Sequence, residues 1–166
     1  YAIEPNNEEI YIQKANICSK RDQHEKAVEL LKIALQYTDD YADVYNLIGM
    51  EYLFMDNLEM AKDSFIKCLE EDLEDQSALY NVVYCFEFLD QNKEAIAYLN
   101  QYIEKNPYSE IAWHQVGRLH YGLKEYEDAL RAFNYATLID DEFMGAFMEK
   151  AKALAVSYTH LRAHET

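Results

Sequence analysis

Residues 42–71 read ADVYNLIGMEYLFMDNLEMAKDSFIKCLEE. The stretches Ala42–Met55 and Leu58–Glu71 space their apolar residues three and four apart, the mark of amphipathic helices. Only the short polar turn Met55-Asp56-Asn57 separates them, so the two helices must lie antiparallel. Gly49 and Ala61 are small enough to let the two backbones approach, and the larger apolar residues between them fill the remaining space.

Moving outward, the same pattern returns every 34 residues. Ala61 belongs to a series with Ala27, Ala95 and Ala129. Four positions after each stand Leu31, Phe65, Leu99 and Phe133, and three further on Ala34, Cys68, Tyr102 and Ala136. Sixteen positions before the alanines stand Tyr11, Tyr45, Leu79 and Trp113, continuing at Phe147. Four beyond those come Ala15, Gly49, Val83, Gly117 and Ala151. Pro5 and Pro107 are three periods apart. One such hairpin cannot cover its own apolar face, so neighbours must stack.

These columns resemble the tetratricopeptide repeat family, whose unit runs Trp, Leu-Gly, Tyr, Ala, Phe, Ala and Pro. The fourth unit matches best, with Trp113, Val116-Gly117, Ala129, Phe133 and Ala136, and the second gives Tyr45, Ile48-Gly49, Tyr52, Ala61 and Phe65. The third departs from the pattern at Val83 and Tyr102, the first at Lys14. The resemblance implies an all-α, right-handed α-solenoid of stacked antiparallel helix pairs. It divides the chain into the end of a preceding truncated repeat (1–7), repeats at 8–41, 42–75, 76–109 and 110–143, and the first helix of a fifth at 144–156. Glu4-Pro5-Asn6-Asn7 reads as the linker closing an earlier unit, and the chain reads as a fragment. Residues 157–166, SYTHLRAHET, lack the repeat columns and read as an artefactual tail.

Composition agrees with a helical, acidic protein. The 166 residues are 50 % hydrophobic, with only 4 Gly and 2 Pro, too few for a turn-rich β fold or a glycine-loop enzyme. Against 15 Lys and Arg stand 31 Asp and Glu, a net charge of −16. Nucleic acid and anionic membrane surfaces are therefore excluded as expected partners. Cys18, Cys68 and Cys85 are odd in number, lack a CxxC and sit inside helical patterns, so reduced thiols and a cytoplasmic location are expected.

No enzyme motif, metal or cofactor is expected. His160 and His164 have a one-face spacing but no third ligand nearby in sequence. His120 stands where the family carries a core Tyr. The acid clusters at Asp39-Asp40-Asp43, Glu70–Asp75 and Asp140-Asp141-Glu142 fall between repeats, where they cap the next helix.

In the family, first helices line a concave face that holds a partner's segment. By register the inward positions here include Asn46, Met50 and Phe54, then Tyr80, Tyr84 and Phe88, then His114, Arg118 and Tyr121. Asp43 and Glu9 occupy the equivalent first-turn positions. The aromatic rings have two open roles, ligand contact and packing between helices. Arg118 could fork to a partner carboxylate or pair locally with Glu87. Cations that would clamp a terminal carboxylate are replaced by Ile12, Ser77 and Ile111. The expected function is a non-enzymatic scaffold binding a protein or peptide segment, basic or apolar in character. The alternative is a structural spacer, self-association or regulatory array of a larger protein. Lys62 is expected to face outward and to serve as a control position.

Overall fold

The computed structural model describes residues 7–164. Among them nine α-helices and no strand are found: α1 Glu8–Lys20, α2 His24–Ala34, α3 Tyr41–Phe54, α4 Leu58–Glu71, α5 Gln76–Phe88, α6 Asn92–Lys105, α7 Glu110–Gly122, α8 Tyr126–Ile139 and α9 Met144–His164. The linker expected at 4–7 lies, but for Asn7, outside the described residues. The chain divides into two compact units, Tyr1–Asp90 and Gln91–Thr166.

Local chemistry sets the helix ends. Asn7, Asp40, Asn57, Asp75 and Ser109 each accept a backbone N–H of the helix they precede, satisfying a donor that has no partner within the helix. Within each hairpin the chain turns through one left-handed residue: Asp22, Asp56, Asp90 and Lys124, with φ of 58°, 56°, 57° and 63°. The next amide then reaches back five residues, as in Gln23 to the Cys18 carbonyl (2.8 Å), Asn57 to Tyr52 (2.9 Å) and Glu125 to His120 (2.9 Å). This closure satisfies carbonyls that the helix end would leave open. Asp tolerates the left-handed region better than most residues do, which suits three of the four turns.

In the first unit α1 packs on α2 and α3 on α4, with α2 also against α3 and α4 against α5. Ala27 and Ala61 are fully buried, as is Phe65, and Leu31 is nearly so. Burying one such large side chain contributes about 1.5–3 kcal/mol. In the second unit α7 packs on α6, α8 and α9, and α8 on α9. Ala95, Ala129, Leu99 and Phe133 have no exposed surface. Trp113 stacks on Tyr135 with ring centres 4.6 Å apart, and its indole N–H donates to the Pro107 carbonyl at 3.0 Å.

The last helix departs from the sequence expectation twice. It does not stop near residue 156 but continues to His164, because the 157–164 segment contains neither Gly nor Pro, and Thr159 Oγ1 bonds back to the Ala155 carbonyl. Its buried residues are Ala146 and Ala153 rather than Phe147 and Ala151, which are exposed. Ala146 and Ala153 belong to the face toward the preceding hairpin. The Phe147 face is the one that, in α7, meets the second helix of the same hairpin, and no described helix follows α9.

Candidate functional site

On the first helices of the N-terminal unit, Phe54 is 59 % exposed and Phe88 65 %, large values for Phe side chains. Tyr80 and Tyr84 on α5 are also exposed. These rings are braced. His24, at the start of α2, stacks on Phe54 with centres 5.2 Å apart. The same imidazole binds the buried Glu51 through Nδ1, 2.7 Å from Oε2. Tyr84 and Phe88 lie 4.4 Å apart, centre to centre. Met50 is half-buried and its sulfur accepts from Asn81 Nδ2 at 4.0 Å. Asn46 is half-buried, with its Oδ1 covered by protein.

The opposite ends of these helices are acidic. Glu8 and Glu9 open α1, Asp40 and Asp43 open α3, and Asp75 caps α5. They share one electrostatic field: partial burial raises the Asp43 pKa, and Asp40, Asp75, Glu8 and Glu9 raise it further.

In the C-terminal unit the three predicted residues have different surroundings. His114 is mostly covered: it pairs with Glu149 of α9, its ring lies 6.0 Å from Phe133 and meets Phe143 edge-on at 4.9 Å. It ties α7 to α9. Arg118 donates through Nη2 and Nε to Oε1 of the buried Gln115, at 2.9 and 3.3 Å. Tyr121 meets Tyr126 edge-on at 5.6 Å. Arg118, Tyr121, Phe133, Glu149 and Lys152 line a cavity of about 90 Å³. Two cations at its rim could meet an anionic group.

Metal-ligand geometry is weak. His120, Glu125 and Asp128 bring ligand-type atoms within 4.8 Å of one another, but His120 already bonds Glu125 at 3.3 Å and Asp128 faces Arg131 at 3.6 Å. His160 and His164 lie ring to ring on exposed α9. The three cysteines are unpaired. Burial, then Asp75, pushes the Cys68 thiol up to about 12, and burial pushes Cys85 up to about 11, so both stay protonated and unreactive at neutral pH.

Sequence reading missed the His24–Glu51 and His114–Glu149 pairs, which join residues 27 and 35 positions apart. The one available signal was that Glu51 interrupts an otherwise apolar run. Lys62 is corrected as well: its side chain is only 12 % exposed, pairs with Glu59 at 2.9 Å and lies over the Phe86 ring at 5.0 Å. Asp63, exposed on α4, is the outward position.

Two-helix units with this repeating core define a helical-repeat protein. The tetratricopeptide repeat profile matches residues 42–75 and 76–108, so these two units are tetratricopeptide repeats. It is 24 % identical over 159 residues to anaphase-promoting complex subunit 3 of Schizosaccharomyces pombe, covering 96 % of this chain and 24 % of that one. The chain thus spans about a quarter of that relative's length. Among solved structures, YrrB, described as a TPR protein with an unusual peptide-binding site, is 26 % identical with a TM-score of 0.61, covering 93 % of this chain and 80 % of that one. The first TPR of Spaghetti (RPAP3), bound to the HSP90 peptide SRMEEVD, is 17 % identical with a TM-score of 0.60, covering 73 % and 96 %. No described helix is long and apolar enough to cross a membrane.

Proposed function

We propose that the chain is a non-enzymatic, cytoplasmic scaffold whose first-helix faces form a concave groove for a segment of a partner protein. The observation that carries this is the braced, exposed aromatic set Phe54, Tyr84 and Phe88. Exposed rings held in place by neighbours lose little freedom on binding, so they suit an interface anchor. Asn46, Met50 and Tyr80 extend the same register in the N-terminal unit, and His114, Arg118 and Tyr121 do so in the C-terminal one. Relatives of this fold that take peptides support the reading.

A second reading, an assembly or regulatory array within a larger protein, is favoured by one finding. A curated relative is a subunit of a complex and is about four times longer than the matched region. Both readings predict contact through the groove. The test is to compare Tyr84→Ala and Arg118→Ala with the outward control Asp63→Asn, against a partner recovered by affinity capture, using calorimetry. A groove function requires weaker binding for the first two and unchanged binding for the third. The reverse pattern moves the site to the outer surface.

A further inference from the structure

The first-helix face of the N-terminal unit is amphipathic across its width. One edge holds the first-turn acids Glu9 and Asp43 with the cap Asp75, and the other holds Phe54, Tyr84 and Phe88. Asp43 and Phe54 are 11 residues apart on α3, so the two edges lie about 16 Å apart along the helix axis. Asp40 and Asp75 accept backbone N–H groups, but among the described residues no Lys or Arg pairs with Glu8, Glu9, Asp40, Asp43 or Asp75, so no side-chain cation offsets the charge of this edge.

Resting on the reading of this face as a binding surface, we infer that it takes a basic amphipathic α-helix, with Lys or Arg over the Asp43 edge and apolar side chains over the Phe54–Phe88 edge. A helix with its side chains is about 10–12 Å across, which covers most of the distance between the edges, and an outstretched Lys or Arg side chain on its basic side reaches the remainder. The raised pKa of Asp43 agrees with a field that an incoming cation would relieve. A second copy of this chain is a poor occupant, since its net charge of −16 would oppose the same acidic edge.

Three synthetic peptides of about 18 residues, five helical turns, test this. One has a Leu face and a Lys/Arg face. In the second, Glu replaces Lys and Arg. The third keeps the first composition but scrambles the period. Affinity for the full chain is read by fluorescence anisotropy, and peptide helicity by circular dichroism. The first peptide should bind, become helical and weaken as salt rises, while the other two bind at least about tenfold more weakly. Phe54→Ser and Phe88→Ser should each weaken the first peptide about tenfold. Asp43→Asn should weaken it less and flatten the salt dependence, and Asp63→Asn should change nothing. Equal binding of all three peptides, still lost on Phe54→Ser, overturns the basic-helix assignment and keeps the groove. Binding unaffected by either Phe change, or no binding of any peptide, overturns the assignment outright. In the first of these cases the groove reading falls as well. Concentration-dependent dimers that the first peptide displaces would assign the face to a second copy and overturn the assignment too.

Discussion

Gly49 lies so close to Phe65 that a Cβ on it would stand 2.6 Å from the ring's Cε1. Gly117 and Phe133 repeat the arrangement one hairpin pair later, at 2.5 Å. Where the first-helix position is larger, as at Ala15 and Val83, the ring position sixteen residues on is Leu31 or Leu99. Small against large is thus kept within each repeat, by either combination.

Gly49→Ala is expected to destabilise the protein by about 1–3 kcal/mol, because Phe65 is fully buried and cannot yield. The gain in helix propensity from Gly to Ala, about 1 kcal/mol, is already set against that loss. Phe65→Leu in the Gly49→Ala background should recover part of it, reproducing the Ala15–Leu31 combination. Urea midpoints of the single and double variants measure the coupling.

Ala95→Glu should cost roughly 3 kcal/mol or more, since Ala95 has no exposed surface and a carboxylate there is either buried unpaired or forces the backbone apart. Ala97→Glu, two residues along the same helix but exposed, should be nearly neutral. Equal thermal midpoints for the two would show that the register of α6 is misassigned.

Most of this core was legible because it depends on short-range periodicity. Ala27, Ala61, Ala95 and Ala129 recur at one spacing and are all fully buried. The same columns misled at Phe147 and Ala151, where burial needs a second helix and not just the right position. The site was less legible. Phe54 and Phe88 could be placed on a face, but the bracing of Phe54 by His24 depends on Glu51, a contact between helices that no local spacing encodes. His114 illustrates the opposite case: its register points inward, yet the Glu149 and Phe143 contacts that cover it come from outside its own helix.

Lys124 occupies the left-handed turn position that carries Asp in the other three hairpins. A long side chain there costs about 1–2 kcal/mol relative to residues that tolerate this conformation. Lys124→Asn should therefore stabilise by a few tenths to about 1 kcal/mol, read as a higher urea midpoint with an unchanged slope.

The pH response of the acidic edge has a definite sign. Asp43 has a folded-state pKa above its ordinary 3.8, owing to burial and then to Asp40, Asp75, Glu8 and Glu9. Proton uptake at Asp43 therefore favours the folded state. Its contribution is fully present below 3.8 and lost as pH rises through the raised value. Asp43→Asn should equal or exceed the natural chain in stability at pH 7, and that advantage should vanish below pH 3.8. Chemical denaturation at both pH values checks it, and an Asn variant that is less stable at pH 7 would contradict the repulsion.

His24→Ala should affect stability and binding together, by separate routes. Removing the imidazole leaves the Glu51 carboxylate, 8 % exposed, without its 2.7 Å partner. A buried polar group that loses its partner typically costs about 1–3 kcal/mol, so a loss of that order is expected at pH 7. The same change removes the ring stacked on Phe54, leaving that side chain free to sample other rotamers. Affinity for a groove ligand should then fall, but less than for Phe54→Ala, which removes the anchor itself. His24→Ala combined with Glu51→Leu separates the two effects. The Leu replaces the stranded carboxylate with an apolar group and should restore much of the stability, while leaving Phe54 unbraced and the affinity low. If the double variant recovers both, the weakened binding came from the loss of folding stability and His24 has no part in holding the anchor.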